Sequence, residues 1–300
     1  MPAADEYDGA GHRFTTPLEV ADSLAAVGYI ADPRISGAVF LAGRLGKPLL
    51  AEGPAGTGKT ELAKALSRVT GARLIRLQCY EGLDESKALY EWDYRKQLLR
   101  IHASRDAAAE QWQALERDIF SEEYLLARPL LEAIRSEDDV VLLIDEVDRL
   151  DIETEALLLE VLSDFQVSIP ELGTVAARRR PLVLLTSNNS RELSDALKRR
   201  CLFLHIGYPG AEREREIVRS AVPGISEHLA TQLTQVVLSL RGLQLKKKPS
   251  VSETIDWART LLLFESSELD PADVVAALPV LLKHQSDIEL ATRELGRVPS

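Results

Sequence analysis

The octapeptide Gly53-Pro54-Ala55-Gly56-Thr57-Gly58-Lys59-Thr60 constrains this chain more than any other feature. It fits G-x-x-x-x-G-K-[ST], with a short apolar run before it and an amphipathic stretch after it. Glycines let successive backbone N–H groups turn inward around a phosphate, at a helix N-terminus whose dipole favours an anion. Lys59 is placed to reach the β- and γ-phosphates, and the Thr60 hydroxyl is a ligand for Mg²⁺. Glu61 follows directly and borders the same loop. With ordinary Gly, Lys and Ser/Thr usage, chance gives on the order of 0.01 such matches in a chain of this length. The loop therefore predicts a bound nucleoside triphosphate.

The surrounding pattern fits that loop. Residues 48–51, 72–77, 140–144, 182–186 and 202–206 are short runs whose apolar residues are contiguous instead of alternating. Strands buried on both faces read this way, as in a parallel sheet covered by helices. Between the first two runs, Leu62, Ala63, Leu66 and Val69 recur at helical spacing; Ile152, Ala156, Leu159 and Leu162 or Val161 do so between the third and fourth. The expectation is an α/β fold: a doubly wound, parallel, five-stranded core over residues 17–207. An insertion at 80–135 carries its own helical signal, and residues 166–176 read as a hairpin turning at 170–173. Beyond residue 208 only helical periods occur, which predicts a small all-helical lid over 208–300. Residues 1–16 lack hydrophobic periodicity and are expected to be frayed.

Three further strings carry candidate chemistry. Val140-Val-Leu-Leu-Ile-Asp145-Glu146 is an apolar strand ending in two carboxylates. Asp145 is placed to hold Mg²⁺ and Glu146 to polarise an attacking water, which favours hydrolysis over phosphoryl transfer. Asn188, in Thr-Ser187-Asn188-Asn189, is read either as a hydrogen-bond partner of the γ-phosphate or as a cap for a helix over 191–198. Arg199 and Arg200 are read either as stabilisers of transferring phosphate or as a solvated basic helix end.

Charge and cysteine content narrow the setting. Lys and Arg number 36 against 47 Asp and Glu, a formal charge of −11, which disfavours nucleic acid as a partner. Cys79 and Cys201 belong to no paired motif, the N-terminus is acidic, and no apolar run approaches bilayer length. A cytoplasmic setting without a transmembrane segment is expected, any membrane association coming through partners.

In order and spacing these strings resemble the AAA+ ATPases, and the hairpin before the Asn-bearing strand resembles the MoxR branch. Cys79-Tyr-Glu-Gly-Leu-Asp, Ala88-Leu-Tyr-Glu-Trp-Asp-Tyr-Arg-Lys-Gln-Leu-Leu and Lys248-Pro-Ser-Val-Ser-Glu-Thr-Ile-Asp-Trp-Ala are similar to the CoxD-type ATPases of carbon monoxide dehydrogenase maturation. The resemblance implies ATP and Mg²⁺ as cofactors, Asp145 as the metal carboxylate, Glu146 as the catalytic carboxylate and Asn188 as sensor 1. It implies Arg200 as the arginine finger, with Arg199 the alternative, and a linker at Tyr29 and Ile30 bordering adenine. It also implies a homo-oligomeric ring, commonly hexameric, a client apo-metalloenzyme and a von Willebrand factor A domain partner. The sequence departs from the family pattern at sensor 2. After Lys246-Lys-Lys-Pro-Ser250 no arginine occurs until Arg259, although Ser250 and Glu253 form a capping box. Leu89, Tyr90, Trp92 and Tyr94 are read either as client contacts or as the insertion's own core. A DNA-remodelling ATPase and a non-hydrolysing nucleotide switch or phosphotransferase are the competing functional readings.

Overall fold

Strand β5, Val140–Asp145, is buried at every position, and its side chains divide between two cores. Val140, Leu142 and Ile144 enter one cluster; Val141 and Leu143 enter the cluster on the opposite face. A two-residue period explains this division, and burial on both faces explains the unbroken apolar run. In the computed structural model, which describes residues 10–103, 118–263 and 271–295, β5 lies within a five-stranded sheet. The order is β2-β5-β8-β1-β9, with β1 Leu49–Glu52, β2 Arg73–Gln78, β8 Leu182–Ser187 and β9 Leu202–His205, and all pairs are parallel. Strand β1 lies between β8 and β9, which places the glycine-rich loop at its C-terminal end between two later strands.

Two small sheets flank this core. In the insertion, β3 (Tyr90–Trp92) pairs antiparallel with β4 (Leu125–Ala127). Its aromatic residues separate by role. Leu89 and Trp92 are buried, Tyr90 packs partly buried against them, and Trp92 meets Phe120 edge-on at 5.3 Å. Tyr94 is 62% exposed. The other small sheet is a hairpin of β6 (Gln166–Ile169) and β7 (Gly173–Ala176). After the sheet, helices Ala211–Ala221, Glu227–Gly242, Val251–Leu263, Pro271–Leu281 and Gln285–Leu295 enclose a separate core around Trp257 and Leu261.

Three local expectations differ from the structure. Within the segment expected to be frayed, Ala10–Arg13 form a 3₁₀ turn, and Ala10 and Phe14 are buried against the sheet. Residues 1–9 and the insertion's 104–117 lie outside the described residues. Helix Ile152–Asp164 keeps the expected inward face at Leu159, Val161 and Leu162 but departs from it in its first turns. Thr154, Glu155, Leu158, Val161 and Leu162 are buried, whereas Ile152 is 75% exposed and Ala156 is exposed. The polar members of that face are held by hydrogen bonds that apolar periodicity does not register. Finally, the helix expected over 191–198 is Asp195–Arg200, capped by Ser194, whose Oγ accepts from the Leu197 N–H at 3.2 Å. Capping is therefore not the role of Asn188.

Candidate nucleotide site

The loop after β1 is tightly enclosed. Gly53 has φ 155°, and a Cβ there would lie 2.1 Å from the Ile206 carbonyl oxygen, just past β9. At Gly56 (φ 73°) a Cβ would meet the Ser250 side chain at 2.5 Å, so the helix Val251–Leu263 starts directly on the loop. The Ser252 N–H donates to the Gly56 carbonyl at 3.3 Å. Ser250 and Glu253 form the expected capping box: the Ser250 N–H donates to Glu253 Oε2 at 2.8 Å and the Glu253 N–H to Ser250 Oγ at 3.3 Å. We expect Gly56→Ala to lower nucleotide affinity at least about tenfold, because the new methyl both strains φ and pushes the helix Val251–Leu263 off the loop; fluorescence titration with a labelled nucleotide measures it.

Lys59 is 5% exposed, and its Nζ donates to the Gly53 and Pro54 carbonyls, each at 2.7 Å. Burial pushes the Lys59 ammonium below its ordinary value, against the opposing pull of Asp148, Asp145 and Glu146. Gly53 and Pro54 thus hold Lys59 through their carbonyls, whereas residues 55–61 face a cavity of about 270 Å³ or one of about 500 Å³.

Asp145 ends β5 and accepts four hydrogen bonds. Its Oδ1 accepts from Thr60 Oγ1 at 3.0 Å and Thr186 Oγ1 at 2.5 Å, and its Oδ2 from Arg76 Nη2 at 2.6 Å and Nε at 3.1 Å. Glu146 follows in the left-handed region (φ 58°), its N–H donating to Thr186 Oγ1 at 2.9 Å and its side chain 38% exposed. A glutamate held at positive φ is an uncommon conformation, and such residues concentrate at functional sites. Asn188 stands across from it, on a loop fastened by two buried carboxylates. Asp148 accepts from the Asn188 N–H at 3.2 Å, the Ser190 N–H at 2.9 Å and Ser190 Oγ at 2.5 Å. Burial pushes the Asp148 carboxyl up, but these hydrogen bonds outweigh it and hold it below the usual carboxylate range. Glu155 accepts from the Ser194 N–H and from Arg191 Nη2, both at 2.8 Å. Lys59, Thr60, Asp145, Glu146, Asn188 and Ser252 enclose a cavity of about 270 Å³.

Residues 49–208, more than half of the chain, match the ATPase family associated with various cellular activities (AAA). The chain belongs to the AAA family. Two uncharacterized proteins of Staphylococcus aureus, from strains bovine RF122 / ET3-1 and USA300, are each 24% identical over 243 residues, covering 79% of this chain and 81% of theirs. In fold the protein is similar to a point mutant of RuvB from Thermotoga maritima (TM-score 0.50, 16% identity, 92% of this chain and 73% of that one). It is also similar to domain III of the Thermotoga maritima replication initiation protein DnaA (TM-score 0.50, 16% identity, 86% and 96%).

Beside the cavity at Lys59, the AAA protein has a second one of about 500 Å³ between the linker, the loop and the C-terminal helices. Tyr29, Ile30, Arg213, Ile217 and Ile255 are among its walls. The Tyr29 hydroxyl is buried with no hydrogen-bond partner among the described residues, which suits a polar ligand entering here. Arg213 fixes the linker, donating to the Ile30 carbonyl at 3.1 Å and to Asp32 Oδ2 at 2.7 Å.

Arg199 and Arg200 are not brought to either cavity. Both are exposed, and Arg200 donates to Ser163 Oγ and, at 3.2 Å, to the Ala196 carbonyl of its own helix. Lys248 is exposed and lines neither cavity; Ser252 lines both and Arg259 the larger. Sequence reasoning missed Asp148, Thr186, Arg76 and Arg213. The first two stand inside strings already suspected, Asp145-Glu-Val-Asp148 and Thr186-Ser-Asn188, so adjacency was an available signal. Arg76 and Arg213 have no such mark.

Proposed function

We propose that this AAA protein hydrolyses ATP, with residues from 208 onward closing over the nucleotide as a lid. The observation that carries the reading is the convergence of Lys59, Thr60, Asp145, Glu146 and Asn188 on one cavity. The loop N–H groups and Lys59 bind the β- and γ-phosphates, and Tyr29 and Ile30 border the base. Thr60 and Asp145, a hydroxyl and a carboxylate already in hydrogen-bond contact, are the hard oxygen donors that Mg²⁺ takes. When bound, Mg²⁺ supplies charge neutralisation on the phosphate oxygens. Glu146 orients a water and takes its proton as the water oxygen bonds to the γ-phosphorus. The bridging bond to the β-phosphate breaks, giving ADP and phosphate. Asn188 hydrogen-bonds the water or a γ-oxygen. Arg200, or Arg199, lies away from its own protomer's site and serves a neighbour's, which couples hydrolysis to a homo-oligomeric, hexameric ring.

Following the MoxR and CoxD resemblance, the work is remodelling of a client apo-metalloenzyme, in maturation of the copper–molybdenum site of carbon monoxide dehydrogenase or a related molybdenum hydroxylase. A von Willebrand factor A domain protein is the expected partner, in the cytoplasm. Exposed Tyr94, Leu98, Leu99 and Leu126 on the insertion suit a client-facing surface. No helix among the described residues is long and apolar enough to cross a membrane.

A role on DNA is the other reading, but the likeness to RuvB and DnaA is one of fold alone. Four of the six residues in the basic runs that would form a track are engaged locally. Arg178 pairs with Glu137, Arg179 with Asp139, Lys247 with Glu253, and Arg180 lies 5.2 Å from the Phe165 ring centre. Turnover stimulated by DNA, with a steep salt dependence, would favour that reading. Lys59→Ala tests the site itself: losing a charge-assisted phosphate contact should weaken ATP binding about ten- to a hundredfold. Unchanged affinity by calorimetry would remove the basis of the reading.

A further inference from the structure

The carboxylate assigned above to the metal already has a cation beside it. Arg76 sits on strand β2, in register with Leu143 of β5, and two residues before Gln78, the position paired with Asp145. Period two puts Arg76 and Gln78 on the same face, so the guanidinium reaches along the sheet surface to the end of β5. There it donates from both Nη2 and Nε to Asp145 Oδ2 and also contacts Gln78 Oε1. The other oxygen, Oδ1, is left to the two threonines.

The environment gives this contact a purpose. The Asp145 side chain is 4% exposed, and Glu146 and Asp148 lie close by in sequence, so its charge needs a counter-ion. Lys59 does not supply one directly, because its Nζ is turned onto the Gly53 and Pro54 carbonyls. The Arg76 side chain is 49% exposed and lines neither cavity, so it reaches Asp145 from outside the nucleotide pocket.

We propose that Arg76 is a positioning residue for the metal site: it is the resident counter-ion of Asp145, holding Oδ1 on Thr60 while reducing the attraction of the carboxylate for a divalent cation. The site then loads metal appreciably only when a triphosphate brings further negative charge. The proposal rests on the reading of Asp145 as a metal carboxylate, and its test separates the two.

Mn²⁺ is titrated by electron paramagnetic resonance into the full chain, held in excess over the non-hydrolysable analogue AMP-PNP. Removing a nearby positive charge in Arg76→Met or Arg76→Gln should tighten Mn²⁺ binding by on the order of tenfold. Arg76→Lys, which keeps the charge, should stay within about twofold of the parent. Asp145→Asn should weaken Mn²⁺ binding. If it does not, the metal-site reading fails and this proposal with it. If Asp145→Asn weakens binding but both neutral variants bind Mn²⁺ no more tightly than the parent, or Arg76→Lys shifts as they do, the role of Arg76 alone is overturned.

Discussion

Substituting Glu146 by Gln should lower phosphate release by about 10²- to 10³-fold while ATP remains bound at near-parental affinity. The substitution keeps the size and hydrogen-bonding shape of the side chain but removes its capacity to take a proton from water. Among the described residues no hydrogen bond joins Glu146 to the loop that would grip the phosphates; its N–H is held by Thr186, so the backbone at φ 58° should persist in the variant. The expected pattern is therefore a fall in kcat with little change in nucleotide Kd, read from phosphate release and from calorimetry on the same preparation. Retained turnover would transfer the role to another group. Because the variant should accumulate in the ATP-bound state, a pull-down with it in ATP is also the direct route to the client.

Arg241→Ala should destabilise the C-terminal helices by about 3–5 kcal/mol, the cost of leaving a buried carboxylate unpaired. Arg241 is 7% exposed and Glu214 fully buried. The guanidinium grips both Glu214 oxygens, donates from Nε to the Pro249 carbonyl at 2.8 Å and lies 4.5 Å from the Tyr208 ring centre. Thr254 Oγ1 adds a bond to Glu214 Oε1 at 2.9 Å. One pair thus joins helices Ala211–Ala221, Glu227–Gly242 and Val251–Leu263 to the segment leaving the sheet. Since Pro249 precedes the Ser250 that rests on Gly56, the variant should also bind ATP more weakly. Urea denaturation followed by circular dichroism measures the first effect and nucleotide titration the second. Replacing both partners by apolar residues, Arg241→Met with Glu214→Leu, should recover much of the stability, because no orphaned charge remains. A loss under about 1 kcal/mol in Arg241→Ala would mean that water reaches Glu214.

The fold was legible because its signals are local. Contiguous apolar runs marked the five core strands to within a residue or two, and the loop 53–60 lies at the end of β1, between strand and helix, as its spacing predicts. The hairpin β6–β7 and the capping box at Ser250 were likewise readable from short strings. Helix Ile152–Asp164 was misread only in its first turns, where Ile152 and Ala156 are exposed and the inward face is formed by Thr154 and Glu155, whose burial is stabilised by partners distant in sequence. Tyr94 was inseparable from Trp92 by composition, yet one is exposed and the other packs on Phe120.

By itself, then, the sequence determined which groups stand at the loop: a lysine, a threonine and an Asp-Glu pair at a strand end can be recognised from residue type and spacing, and they line one cavity. Only the tertiary structure decided what holds those groups in place. Arg76 on Asp145, Asp148 under the Asn188 loop, Arg213 on the linker and Arg241 on Glu214 each join residues 27 or more positions apart. Such pairs arise where the fold buries a carboxylate or frees a carbonyl, and that need exists only once the strands and helices have packed.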